Sequence, residues 1–171
     1  MKDKKYQMYL DLLPIKTKRL IAIKTTINDV DLLLKMDKQE LTQKYLGGIK
    51  NNTKEERIEF LRKKEKSSSL TICLQDGTKI GFVGLSIDDN NNATIGYIFD
   101  NDYWNNGYCT EICRELINIA FNKLDLNNVF ADTIKGNISS QKVLEKIGFI
   151  YQDSTIKNNV VFLNYKISKK N

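Results

Sequence analysis

The sequence predicts a single mixed α/β domain built on a mostly antiparallel sheet with one parallel region. Two patterns carry that reading. Three β-type segments, at residues 70–75, 79–87 and 93–99, follow one another across polar turns, which is the signature of an antiparallel meander. From Tyr108 onward the pattern changes to helix, strand, helix, strand, and a strand–helix–strand unit brings parallel strands into a sheet. The length of 171 residues suits one domain. No repeat or Pro-rich linker argues for a second one.

Each element has a local justification. Residues 19–25 read as a strand, with Leu20, Ile21 and Ile23 as apolar members. Asn28 or Asp29 is placed to cap a helix running to about Met36. Thr53 with Glu56 three residues later forms a capping-box pattern. It opens a helix whose apolar stripe includes Ile58 and Leu61, and whose charges from Lys54 to Lys66 are expected to form a solvated face. Asp76-Gly77 predicts a two-residue hairpin of the primed type between the first two meander strands. Tyr108, Ile112, Leu116, Ile119, Ala120 and Leu124 recur at helical spacing. Residues 128–134 alternate as a strand. Asn137 is placed to cap a helix through Ile147, and Gly148 stands where a left-handed C-cap is expected. Residues 149–152 and 160–167 read as closing strands.

Composition excludes several chemistries. The chain has no histidine, so Ser-His-Asp and Cys-His mechanisms and HExxH metal sites are ruled out. The three cysteines, Cys73, Cys109 and Cys113, form no disulfide framework and read as small buried residues of a reducing, cytoplasmic setting, with no metal site expected. No apolar run reaches the ~20 residues of a membrane span, and the first residues lack the apolar stretch of a secretory signal. The net charge of +6 is concentrated at the ends: residues 1–24 hold seven basic and two acidic side chains, and residues 161–171 three basic and none acidic. Residues 1–18 and 168–171 are therefore expected to be basic tails flanking one domain that spans 1–171. A nucleic-acid binder would carry its charge on folded elements, so that partner class is disfavoured, and no membrane partner is expected.

The segment from Ile95 to Leu116 (IGYIFDNDYWNNGYCTEICREL) carries the chemistry. A strand ends near Phe99, a loop turns at Asn105-Asn106-Gly107, and a helix begins almost at once. Such a loop presents free N–H groups and the positive end of a helix dipole, which suits a pyrophosphate. This segment resembles the acetyl-CoA loop of GNAT N-acetyltransferases, in the form seen in their ribosomal-protein (Rim-type) branch. Residues 17–23 (TKRLIAI), 44–48 (KYLGG), 80–85 (IGFVGL) and 137–149 (NISSQKVLEKIGF) resemble further parts of that branch in the same order.

The resemblance implies a GNAT-like fold: a mixed, mostly antiparallel twisted sheet with flanking helices and a parallel, splayed strand pair. It implies acetyl-CoA as cosubstrate. Ile98, Phe99, Asn105, Asn106, Gly107, Tyr108, Cys109, Thr110, Asn137 and Ser140 are the expected cofactor-binding residues, Ile98 and Phe99 through their backbone groups. The family loop usually has glycine at Asn105 and glycine or alanine at Cys109. Many relatives place a tyrosine acid where this chain has Leu144, and Ser140 is the candidate proton donor in its stead, the alternative being that it only binds cofactor or caps its helix. Glu111, Asp132, a tyrosine or a water chain could serve as base.

The activity implied is transfer of an acetyl group to a primary amine, on a small molecule or a protein N-terminus, by direct attack in a ternary complex. A GNAT-like domain that binds acyl-CoA without turnover is the alternative. The acceptor side is expected near residues 45–50 and 158–163. The sequence leaves the oligomeric state open, a homodimer among the options.

Overall fold

A computed structural model describes residues 2–65 and 67–170; Met1, Asn171 and the Lys66 of the expected charged face lie outside the described residues. The elements run α1 (Lys2–Asp11), β1 (Ile15–Lys16), β2 (Leu20–Lys24), α2 (Val30–Asp37), α3 (Glu40–Gln43), α4 (Lys54–Glu65), β3 (Ser69–Leu74), β4 (Lys79–Ile87), β5 (Asn92–Phe99), α5 (Tyr108–Asn122), β6 (Asn128–Ile134), α6 (Ile138–Ile147), β7 (Ile150–Lys157) and β8 (Val160–Ser168). The strands form one sheet in the order β1-β2-β3-β4-β5-β6-β8-β7. Every neighbouring pair is antiparallel except β5–β6.

Side-chain alternation along the strands divides the core into two clusters on opposite faces. Val83 and Phe99 belong to the larger one, with Tyr9, Ile112, Leu116 and Leu144 from α1, α5 and α6. Their strand neighbours Phe82 and Ile98 pack with Leu33, Met36 and Leu61 from α2 and α4. At Gly81 an added Cβ would lie 2.6 Å from the Ile98 carbonyl oxygen, so only glycine lets β4 approach β5 this closely.

Local capping follows the expected chemistry in α4 and α6. Thr53 and Glu56 exchange reciprocal bonds, with Thr53 N–H donating to Glu56 (2.7 Å) and Glu56 N–H to Thr53 Oγ1 (3.2 Å). Gly148 is left-handed (φ 108°), and the N–H of Phe149 donates to the Leu144 carbonyl at 3.0 Å, closing α6.

Four expectations are corrected. Residues 1–18 are not a tail: α1 buries Tyr9 completely, and Tyr6 Oη donates to the Ser67 carbonyl at 2.7 Å. At the other end β8 runs to Ser168, and Lys169 donates its N–H to Asn127 and its ammonium to Asp125. The charged face of α4 is not wholly solvated, because Arg57 turns inward to the buried Asp37, with Nε to Oδ2 at 2.6 Å. The entry to α2 is capped by Thr26 through a short 3-10 turn rather than by Asn28 or Asp29. The turn at Asp76-Gly77 is not primed either: only Gly77 has positive φ, and Gly77 N–H donates to the Leu74 carbonyl, giving a three-residue loop with glycine in the bulge position. The primed two-residue turn falls instead at Asn158-Asn159 (φ 49° and 61°), between a β7 longer than expected and β8.

Candidate active site

The site begins where β5 and β6 part. They pair only from Asn92↔Asn128 to Thr94↔Phe130. Beyond that, β4 follows β5 as far as Phe99 and β8 follows β6 as far as Ile134. The facing edges of residues 95–99 and 131–134 are thus left without a strand partner. Backbone polar groups in such a position need a partner from elsewhere. Their direction follows from strand alternation. Asp100 N–H donates to Ile80 on β4 (3.0 Å), whereas the Phe99 carbonyl faces away and accepts from Trp104 Nε1 at 2.8 Å. Ile98 therefore turns its own backbone groups toward β4, and Tyr97 and Phe99 turn theirs into the gap. This corrects the expectation that the Ile98 backbone is free to pair with a ligand.

A cavity of about 770 Å³ fills the gap. It is lined by all ten residues expected from the sequence: Ile98, Phe99, Asn105, Asn106, Gly107, Tyr108, Cys109, Thr110, Asn137 and Ser140.

At one end stands the N-terminus of α5. Asn105 (φ 62°) and Gly107 (φ 77°) both adopt left-handed torsions, and Gly107 is the N-cap with no side-chain cap bond. Asparagine tolerates that region better than most residues, so Asn105 keeps the loop shape that glycine usually supplies. The first helical bond runs from Glu111 N–H to the Gly107 carbonyl. Among the described residues, nothing in the chain accepts from the N–H groups of Gly107, Tyr108, Cys109 or Thr110. Four orphan donors at a helix N-terminus suit an anion. A neighbouring depression of about 460 Å³ shares Lys146 with the cavity and adds Lys18, Arg19 and Arg114 against one carboxylate, Glu111. The donor set and this positive rim fit a pyrophosphate-bearing cosubstrate.

The loop is held from behind. Glu111 accepts from Thr17 Oγ1 (2.6 Å), Arg19 N–H (2.8 Å) and Arg19 Nε (2.7 Å). Arg19 also donates to the Asn106 carbonyl at 2.9 Å and lies 4.6 Å over the Tyr108 ring. Burial alone would raise the Glu111 pKa, but these hydrogen bonds and the guanidinium outweigh it and hold the carboxyl below its usual range. A carboxylate already filled by three donors and kept ionised is a poor proton acceptor, which removes Glu111 from the candidate bases. Exposed Asp132 lines the cavity.

In the middle of the cavity, Tyr97 Oη and Ser140 Oγ are 2.9 Å apart. Burial, with a smaller contribution from Cys109, pushes the Tyr97 phenol well above its ordinary pKa, so it remains neutral. Ser140 sits in the first turn of α6, where Asn137 Oδ1 accepts its N–H at 3.2 Å. Leu144 is buried at the cavity wall and carries no proton. Burial and a hydrogen bond with Cys113 raise the Cys109 thiol, keeping it un-ionised and a weak nucleophile.

Only some of the residues expected on an acceptor side line the cavity. Tyr45, Leu46 and Phe162 reach the cavity, but residues 47–50 do not, and α3 adds Leu41 and Thr42. Tyr45 Oη donates to the Gly136 carbonyl at 2.7 Å, tying this segment to the loop after β6. Sequence reasoning missed Arg19 and Tyr97, whose partners lie elsewhere in the fold, and Trp104, which bonds the Phe99 carbonyl five residues back. Lys142 and Lys146, both at the cavity and four apart on α6, were legible as one helix face.

This cleft between splayed strands, with an anion-binding helix start beside it, is the architecture of an acyl-CoA-dependent acetyltransferase. The sequence profile of the acetyltransferase (GNAT) domain matches residues 19–150, and the chain belongs to that family, whose members use acetyl-CoA. It is 39% identical over 79 residues to a protein of Bacillus subtilis (strain 168) named provisionally as ribosomal N-acetyltransferase YdaF, covering 45% of this chain and 43% of that relative. Among solved structures, a GNAT-family acetyltransferase from Bacillus anthracis superposes with a TM-score of 0.81 at 23% identity, over 90% of this chain and 97% of the other. Spermidine N-acetyltransferase from Vibrio cholerae, solved with CoA and spermine, gives 0.77 at 13% identity, over 90% and 97%.

Proposed function

We propose that the protein transfers an acetyl group from acetyl-CoA to a primary amine by direct attack within a ternary complex. One observation carries this reading: a single cavity runs from the orphan N–H groups of α5, past Tyr97 and Ser140, to the α3 and Phe162 side, so cosubstrate and acceptor can meet in the strand gap. The backbone donors of Gly107 to Thr110 would hold the pyrophosphate, with Arg19, Lys142 and Lys146 adding positive charge. The backbone groups of Tyr97 and Phe99 would flank the pantetheine arm. Acetyl-CoA supplies an activated thioester. The protein supplies positioning and a proton at Ser140 Oγ.

The acceptor would enter on the side of Leu41, Tyr45, Leu46 and Phe162. Asp132 there can receive an ammonium and take its proton directly or through water. Proteins of similar sequence or fold are named for ribosomal and spermidine acetylation, and both protein N-termini and small amines belong in the test. The three free cysteines suit a reducing cytoplasm.

The test is CoA release across peptide N-termini, polyamines, aminoglycosides and amino-acid-like amines, with acetyl-CoA affinity measured by calorimetry. Acetyl-CoA binding with turnover of one amine class is expected. Tight binding without release on any amine would favour the non-catalytic acyl-CoA binder. On the best acceptor, Ser140→Ala should lower kcat by roughly 10–100-fold while changing acetyl-CoA affinity much less. An unchanged kcat would remove Ser140 as the acid.

A further inference from the structure

We infer that Tyr97 is a positioning residue that orients the Ser140 hydroxyl so that its proton points into the cavity, an inference that rests on Ser140 being the proton donor. Leu144 can supply no proton at this wall, so the geometry around Ser140 matters. Ser140 is fixed at two points. Its N–H is taken by Asn137 Oδ1 at 3.2 Å, and its Oγ lies 2.9 Å from Tyr97 Oη. The Ser140 carbonyl is also within reach of the phenol, at 3.3 Å.

A serine hydroxyl has one proton and two lone pairs, and a phenol has one proton. Two arrangements are therefore open to the pair. In one, Ser140 donates to the phenol oxygen, the phenol donates to the Ser140 carbonyl, and no proton faces the cavity. In the other, the phenol donates to Ser140 Oγ and the serine proton is free to point at a sulfur in the gap. With a thioester sulfur bound in the gap, Ser140 would donate to the charge developing there and the Tyr97 phenol would compensate Oγ, which is the second arrangement. No proton leaves Tyr97. Its phenol is held neutral by its surroundings and so stays a donor throughout. Tyr97 is anchored on β5 beside the cavity and Ser140 on α6, so two separate elements set this alignment.

The experiment compares wild type, Tyr97→Phe, Ser140→Ala and the double variant. Phenylalanine keeps the ring, so the packing survives. Three quantities are read: kcat on the best acceptor, acetyl-CoA affinity by calorimetry, and the ionisation of the bound CoA thiol followed by thiolate ultraviolet absorbance in the binary complex. Tyr97→Phe should lower kcat by about 10-fold and leave acetyl-CoA affinity within about 2-fold. It should raise the pH at which the bound thiol ionises by about one unit, because a weakened donor stabilises thiolate less. The double variant should be no slower than Ser140→Ala, as expected of groups acting as one unit.

If Ser140→Ala is slow and Tyr97→Phe changes neither kcat nor the thiol titration, the positioning role is wrong while the Ser140 assignment stands. If neither single variant changes kcat, the Ser140 reading itself falls. A loss of acetyl-CoA affinity that matches the loss of rate in Tyr97→Phe would make Tyr97 a binding-site wall and overturn the inference.

Discussion

The clamp behind the cofactor loop can be tested through Glu111→Gln. Glu111 is side-chain 18% exposed and takes three hydrogen bonds from Thr17 and Arg19, two of them on Oε1 and one on Oε2. Glutamine keeps the shape but replaces one acceptor oxygen with an N–H₂ donor, which must face either Arg19 Nε or the Thr17–Arg19 pair of donors. At least one bond is lost and the charge assistance of all three disappears. Hydrogen bonds to a charged group are each worth about 1.5–3 kcal/mol when removed. Arg19 is 43% exposed, so solvent screening discounts its share, and a net loss of about 1–2 kcal/mol is expected. For a domain of this size that lowers Tm by about 2–8 °C.

The sign of the pH dependence follows from the depressed Glu111 pKa. A carboxylate whose folded pKa lies below its unfolded value of about 4.3 stabilises the fold fully above that value and loses the contribution as pH falls through the folded pKa. The stability gap between wild type and Glu111→Gln should thus be full at pH 7 and shrink below about pH 4. Urea denaturation at a series of pH values measures it. Because Arg19 also holds the Asn106 carbonyl, acetyl-CoA affinity should weaken by about 3–10-fold at pH 7. A variant as stable as wild type at pH 7, or a gap that persists unchanged in acid, would refute the clamp.

Two further outcomes address the loop itself. Gly107→Pro should abolish acetyl-CoA binding in calorimetry, since Gly107 has φ 77° and proline requires about −65° while also removing an N–H donor; unchanged affinity in a variant whose circular dichroism is native would remove the loop from the site. Cys109→Ala should keep activity, because its half-buried thiol, raised by desolvation and by Cys113, stays protonated; loss of turnover with cofactor binding intact would point to an acetyl-cysteine route and against direct transfer.

Much of this was legible in the chain because it is local. The Thr53–Glu56 box, the Asn137 cap, the Gly148 stop and the period of α5 each depend on residues within a few positions of one another. The loop from Asn105 to Thr110 was legible only in part for the same reason: a turn feeding a helix start leaves orphan donors, but the resemblance to the GNAT acetyl-CoA loop is what assigned it a ligand. The N-terminal helix escaped because Tyr9 is its one fully buried side chain, with Leu10 half-buried beside it and charged residues around them, which makes no helical period. The two hairpins went astray because the sequence names residues that tolerate left-handed torsions without saying how many of them use it: Asp76 does not, and Asn158 and Asn159 do.

What only the tertiary structure decided is how distant residues meet. Glu111 was a candidate base until the turn between β1 and β2 brought Thr17 and Arg19, more than ninety residues earlier, against it. Tyr97 read as a strand residue until the parting of β5 from β6 opened a gap with α6 on its wall and set Ser140 at 2.9 Å. The pairing of β5 with β6 over three residues and no further is itself a property of the assembled sheet, since β4 and β8 hold the outer edges while, among the described residues, no strand pairs with the inner ones. Short-range torsional and capping preferences wrote the elements and the turn before α5 into the sequence. The pocket, the ionised state of Glu111 behind it and the partner of Ser140 arise from contacts between elements, which no local pattern encodes.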